Sequence, residues 1–114
     1  MPALPGLYTP IVTPFKNDTV DDAAILRNVE RYMQTRLTGL VVLGSNGEAV
    51  MLDDSEAERV IVAARSGMPS SRPLIAGTGA ESTKATIAAC VRAARAGADA
   101  VLVRTPSFFK NMMT

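Results

Sequence analysis

At 114 residues the chain has material for one domain or part of one, and its 47% hydrophobic, 20% charged and 4% aromatic residues exclude a disordered tail and a two-domain enzyme. Twelve Lys and Arg stand against eleven Asp and Glu, a net charge of +1, which leaves no electrostatic footprint for nucleic acid or an anionic membrane. With no His and a single Cys, the ligands for a typical zinc site, a His-centred triad and an internal disulfide are missing, so neither a metal nor a cofactor is expected.

Residues 1–8 (MPALPGLY) carry no basic region and no long apolar run, and nowhere do ~20 apolar residues follow one another. The expected compartment is the cytoplasm. A first apolar run, residues 7–12, reads as a weak strand because Pro10 removes a ladder donor. A helix follows, with Asp21 and Asp22 at its N-terminus and Ile25, Val29, Tyr32 and Met33 on one face at i, i+4, i+7, i+8. Gly39 is expected to stop it. The run 40–43 (LVVL) reads as the next strand.

The second helix is expected to begin at Ser55, with Glu58 completing a capping box, to turn Val60, Ile61 and Ala64 inward, and to end at Gly67 and Pro69. After a strand at 74–76 (LIA), the third starts near Ser82, stacks Ile87, Cys90, Val91 and Ala94 on one face, and closes at Gly97. The run 100–103 (AVLV) supplies a fourth strand. Such continuous apolar runs suit strands buried on both faces of a parallel sheet.

The unit starts at Leu7, Gly39, Pro73 and Ala98 are 32, 34 and 25 residues apart, close to one βα repeat of ~30 residues. The order βαβαβαβ implies an α/β fold with a parallel sheet covered by helices, either an open doubly wound sheet or part of a closed (β/α)₈ barrel. Periodicity does not choose between them. A barrel takes ~250 residues, so four strands make less than half of one, the N-terminal half of an incomplete domain over 1–114. Its first and fourth strands would be open edges, expected either in a fragment or in a chain that assembles to bury them.

In such folds ligands bind at the carboxyl ends of strands, here the connections 13–20, 44–54, 77–81 and 105–114. The most informative is Gly44-Ser45-Asn46-Gly47-Glu48. Two glycines around a hydroxyl and an amide let backbone N–H groups converge on a carboxylate or phosphate. The same residues would also make a tight turn in which Ser45 and Asn46 satisfy their own backbone. Gly77-Thr78-Gly79-Ala80-Glu81-Ser82 matches the start of a dinucleotide fingerprint but lacks its third glycine, and Asp99 falls at the start of the next strand and not its end. A glycine turn capped by Ser82 is the simpler expectation. Phe108 and Phe109 could line a pocket or an interface, Cys90 reads as inert packing, and Met112 and Met113 carry no signal.

Four stretches together resemble the family of dihydrodipicolinate synthase and N-acetylneuraminate lyase, the pyruvate-type class I aldolases. They are 9–15 (TPIVTPF), 40–48 (LVVLGSNGE), 75–86 (IAGTGAESTKAT) and 97–106 (GADAVLVRTP), in order across nearly the whole chain. Ser45-Asn46 where many members have Thr-Thr, together with GAEST, looks most like the 4-hydroxy-2-oxoglutarate aldolase branch. The resemblance implies a (β/α)₈ TIM barrel, of which this chain would be the N-terminal part. It also implies a small 2-oxo acid as substrate and a homo-oligomer at full length.

In that family a lysine amine condenses with the carbonyl of a 2-oxo acid, and the protonated imine is the electron sink for carbon–carbon bond chemistry. The resemblance therefore assigns substrate carboxylate binding to Ser45, Asn46 and Gly47 with the surrounding backbone donors, and a proton-relay hydroxyl to Ser45. The family's Schiff-base lysine lies on the sixth strand and a catalytic tyrosine on the fifth, neither of which this chain contains, so the chain alone is expected to be inactive. Lys16, Lys84 and Lys110 do not match the nucleophile's place. Phe108 stands where the family often has a tyrosine that passes a proton across a subunit contact. Lacking a hydroxyl, Phe108 can shape a pocket or a contact but cannot relay.

Overall fold

The computed structural model describes residues 4–108. The readings for Phe109, Lys110, Met112 and Met113 lie outside the described residues. In chain order the elements are β1 (Tyr8–Pro10), β2 (Phe15–Lys16), β3 (Thr19–Val20), α1 (Asp22–Tyr32), β4 (Gly39–Val42), a 3₁₀ turn (Ala49–Met51), α2 (Asp54–Ser66), β5 (Leu74–Gly77), α3 (Thr83–Ala96) and β6 (Ala100–Leu102). The four expected strands form one sheet in the order β1-β4-β5-β6, every pair parallel, with β1 and β6 at its edges. Pro10 is accommodated there: it lies opposite Val41 on an edge strand, and Ile11 takes up the ladder by donating to the Val41 carbonyl at 3.0 Å.

Alternation along the strands sets the core. Leu40, Val42, Leu74 and Ala76 are fully buried on one side, with Ile25 and Val29 of α1 and Val60, Ile61 and Ala64 of α2 in the same cluster. Each large aliphatic side chain so buried contributes about 1.5–3 kcal/mol. Val41 and Ile75, on the opposite face, are only half-buried. The strands are thus covered by helices on one face, and the other is the face that a closed barrel would fill, as expected for less than half of one.

Three local expectations need correcting. The capping box of α2 sits two residues earlier than Ser55 and Glu58: Asp53 accepts from Glu56 N–H at 2.8 Å, and Glu56 accepts from Asp53 N–H at 3.1 Å. An Asp is as good a cap as a Ser, and its bonds from Glu56 N–H and the Ser55 hydroxyl hold the Asp53 carboxyl below the usual carboxylate range. Helix α1, capped by Asp21 as expected, ends at Tyr32, well short of Gly39, which instead opens β4. On α3, Ser82 and Gly97 are the caps, but its buried residue is Ala93, while Ile87 and Val91 are 59% and 45% exposed. That apolar stripe faces away from the described core.

A hairpin was also missed. Phe15-Lys16 pairs antiparallel with Thr19-Val20 around Asn17 and Asp18, both left-handed at φ 52° and 65°. Two successive positive-φ residues suit a type I′ turn, which Asn and Asp tolerate better than most residues. Hairpin and helices are pinned by Arg59 of α2, which donates to the Val20 carbonyl and pairs with Asp22 at 3.2 Å.

At the amino ends of β5 and β6, Arg65 and Asp99 form a closed network. The guanidinium donates to Asp99 at 2.8 Å and to the Pro69 and Arg72 carbonyls, while the same Asp99 oxygen accepts from Leu74 N–H at 2.9 Å. Asp99 therefore fastens two strands at the rim opposite the strand carboxyl ends. This is why it does not occupy a ribose-binding position.

Candidate active site

The carboxyl ends of β1, β4, β5 and β6 share one rim, and the glycine loop after β4 exposes Ser45 and Asn46 there. Leu43 turns the chain with φ 60° and Glu48 closes the loop with φ 55°, both in the left-handed region that non-glycine residues rarely adopt. Between them Gly47 N–H bonds to the Gly44 carbonyl at 3.1 Å and Glu48 N–H to the Ser45 carbonyl at 3.0 Å. These turn bonds consume carbonyls and leave donors. Among the described residues, the N–H groups of Gly44, Ser45 and Asn46 and the side chains of Ser45 and Asn46 have no partner, and both residues are exposed. The alternative of a turn satisfied by its own side chains does not describe this loop.

What holds the loop is buried. Thr13, 4% exposed and three residues past β1, donates its hydroxyl to the Gly47 carbonyl at 2.7 Å, joining segments 34 residues apart. Gly47 is buried against it, which leaves Ser45 and Asn46 as the reachable part of the loop. Thr13 was not singled out in the sequence, because its role depends on a contact between two distant strand ends.

The neighbouring Gly77-Thr78-Gly79 segment serves packing. A Cβ at Gly77 would stand 2.1 Å from the Leu43 carbonyl oxygen, and one at Gly79 would stand 2.7 Å from the Arg104 backbone nitrogen. Both glycines are spaces occupied by adjoining backbone, so their spacing reflects strand-end approach and not a pyrophosphate cradle. Thr78 is buried, with its hydroxyl 3.2 Å from the Cys90 sulfur, consistent with Cys90 as a packing residue.

After β6 the chain is tied back to the connection that leads into α3. Glu81 accepts from Ser107 Oγ at 2.8 Å, from Ser107 N–H at 3.1 Å and from Phe108 N–H at 3.2 Å, and Arg104 lies 3.4 Å away. The Ser107 hydroxyl and the Phe108 N–H lower the Glu81 carboxyl from 4.5 to about 2. Phe108 is 81% exposed at this rim. A hollow of about 300 Å³ between the start of α3 and the segment after β6 is lined by Ser82, Thr86, Ile87, Arg104 and Thr105 among others, but not by Phe108. A larger groove of about 560 Å³ is lined only by α1 and α2 residues, so it does not involve the strand ends. Lys16 and Lys84 are exposed, on the hairpin and in the first turn of α3. No cluster of metal ligands and no helix long and apolar enough to cross a membrane occurs among the described residues.

The rim can therefore offer a small anion a set of unspent backbone donors beside a hydroxyl and an amide, with no general base among its described strand-end side chains except carboxylates already bonded or solvated. Comparisons with known proteins show the family. The model of the dihydrodipicolinate synthetase family matches residues 3–114. The chain is 42% identical over 118 residues to "Probable 4-hydroxy-2-oxoglutarate aldolase, mitochondrial" of Emericella nidulans, covering 99% of this chain and 38% of that protein. It is 41% identical over 105 residues to 4-hydroxy-tetrahydrodipicolinate synthase of Nitrobacter hamburgensis, covering 92% and 36%. Among solved structures, a dihydrodipicolinate synthase family protein of Coccidioides immitis superposes with a TM-score of 0.88 at 39% identity, over 91% of this chain and 35% of that one. The chain thus spans little more than a third of the length of these relatives, and its four-stranded sheet is part of a TIM barrel. It belongs to the dihydrodipicolinate synthetase family.

Proposed function

We propose that this chain is the N-terminal part of a Schiff-base lyase acting on pyruvate or a related 2-oxo acid, and that residues 44–47 cradle the substrate carboxylate. The observation that carries this reading is the set of unpartnered donors at Gly44, Ser45 and Asn46, in a family whose members include an aldolase. In this reading Ser45 and Asn46 bind the carboxylate together with the local backbone, Gly47 lets the chain approach Thr13, the Ser45 hydroxyl relays a proton, and Phe108 walls the pocket. A carboxylate taking two or three N–H bonds is fixed in orientation, which is what a neighbouring carbonyl needs for attack.

The attacking amine comes from a lysine outside this chain. It adds to the ketone carbon and expels the oxygen as water, forming the imine that accepts the electron pair of the breaking carbon–carbon or carbon–oxygen bond. Pyruvate with borohydride tests the reading. This chain alone is expected to gain no mass, whereas a polypeptide that also carries the rest of the barrel gains a reduced adduct as hydride reaches the imine carbon. An adduct-free, folded full barrel overturns the lyase reading.

A second reading, a non-catalytic half-barrel that binds an anion or self-associates, draws on Ile87, Val91, Leu102 and Val103, which are 45–59% exposed along α3 and β6. Sedimentation separates the two: a concentration-dependent dimer supports association through these residues, and a stable monomer removes it.

A further inference from the structure

Glu81 stands out because its bonds go to the backbone of a different βα unit, 26 and 27 residues along the chain. Successive N–H groups such as those of Ser107 and Phe108 form a small concavity that suits an anion. At the mouth of a parallel sheet they would compete with residues 44–46 for any carboxylate that arrives. The sheet order places β4 and β6 on either side of β5, so the two loops lie about 10 Å apart at a strand spacing of ~4.8 Å.

We infer that Glu81 is a positioning residue: its carboxylate is a built-in anion that occupies the Ser107 and Phe108 donors, fixes the loop bearing Phe108, and leaves the Ser45–Asn46 loop as the open carboxylate cradle of this rim. The geometry supports this in three ways. Both carboxylate oxygens are engaged, Oε1 by the Ser107 hydroxyl at 2.8 Å and Oε2 by the Ser107 and Phe108 N–H groups at 3.1 and 3.2 Å. Arg104 supplies the countercharge at 3.4 Å, so the rim is not left with an uncompensated negative charge facing an anionic substrate. The anchor itself is rigid: Ser82, next in sequence, caps α3 through Ala85 N–H at 3.0 Å, and the Thr86 hydroxyl accepts from Ala80 N–H at 3.0 Å. Glu81 is thus held from both sides before it reaches across.

This role deepens the carboxylate-cradle reading and rests on it for its functional meaning, while the latch can be tested by itself. Amide hydrogen exchange and pyruvate titration on the 114-residue chain, both followed by NMR, decide it. Glu81→Ala and Glu81→Gln are expected to raise exchange at Ser107 and Phe108 at least tenfold while the interior amides of α3 keep wild-type rates, which shows that the helix is intact. Glu81→Asp, charged but shorter, is expected to restore part of the protection that the isosteric Gln does not. In the wild type, pyruvate is expected to shift the amides of Ser45 and Asn46 and to leave those of Ser107 and Phe108 unmoved. In Glu81→Ala, pyruvate is expected to shift the freed Ser107 and Phe108 amides as well as those of Ser45 and Asn46, a change that a purely local structural role would not produce; freed amides that ignore pyruvate overturn the built-in-anion role. Unchanged exchange at Ser107 and Phe108 in Glu81→Ala overturns the latch, and so do wild-type Ser107 and Phe108 amides that follow pyruvate as strongly as Ser45. A wild-type chain whose Ser45 and Asn46 amides ignore pyruvate overturns the cradle reading instead, and the exchange result then still decides the latch.

Discussion

The two rims of the sheet are built to opposite specifications. At the amino rim Arg65 and Asp99, each about one-fifth exposed, bond one another and three backbone groups, so the pair is committed to the fold. At the carboxyl rim the loop after β4 holds three unpartnered N–H groups in a frame of left-handed backbone. In parallel α/β folds stability tends to be built at the amino rim and ligand binding at the carboxyl rim, and the two rims here differ in that direction: a bonded ion pair at one, N–H groups without partners at the other.

Substitutions can break that division. The largest effect on stability is expected from Asp99→Ala, which orphans Leu74 N–H and strands the Arg65 charge. A loss of about 3 kcal/mol in urea unfolding is expected, with pyruvate shifts at Ser45 preserved in the folded fraction. Gly77→Ala is expected to cost about 2 kcal/mol, because the new methyl meets the Leu43 carbonyl and must push the glycine loop aside. Here, unlike Asp99→Ala, the Ser45 and Asn46 resonances should also move. Thr13→Val, nearly isosteric, is expected to cost about 1.5 kcal/mol by leaving the Gly47 carbonyl unbonded, again with a response in the loop. If Asp99→Ala disturbed the loop as much as Thr13→Val, the two rims would not be independent.

Acid sharpens the comparison more gently. The Glu81 carboxyl is lowered in the folded chain from 4.5 to about 2, so its bonds are at full strength above pH 4.5 and are lost as pH falls through about 2. The Phe108 amide shift should titrate in that window, whereas the Ser45 amide should not follow it. A Phe108 midpoint at the ordinary value of 4.5 would mean that the carboxylate is not engaged.

The repeat of helix and strand was legible because it is written in local periodicity: Ile25 and Val29, Val60 and Ile61, and the runs at 40–43 and 74–76 all fall where the core requires them. That a turn follows the strand at 40–43 was legible from Gly44 and Gly47, but not whether its donors would be spent, since the same residues also suit a turn bonded to its own side chains. Other features depended on partners far along the chain. The side of α3 that turns inward is settled by the rest of the fold, so Ile87 looked like core and is exposed. Thr13 and Glu81 act through contacts 34 and 26 residues away, which spacing does not encode. The β2–β3 hairpin did leave a signal, Asn17-Asp18 between two short apolar-polar pairs, but strands of two residues are too brief to show alternation.

Because every strand in the four-stranded sheet runs the same way, its two margins among the described residues are not alike: β1 forms one and β6 the other. Any joining of copies through backbone ladders with strand direction kept must then be head to tail, the β6 margin of one molecule meeting the β1 margin of the next. Such a contact either closes or propagates. In a closed eight-stranded barrel the same asymmetry is resolved within one ring, where each strand meets one neighbour through one margin and the next through the other.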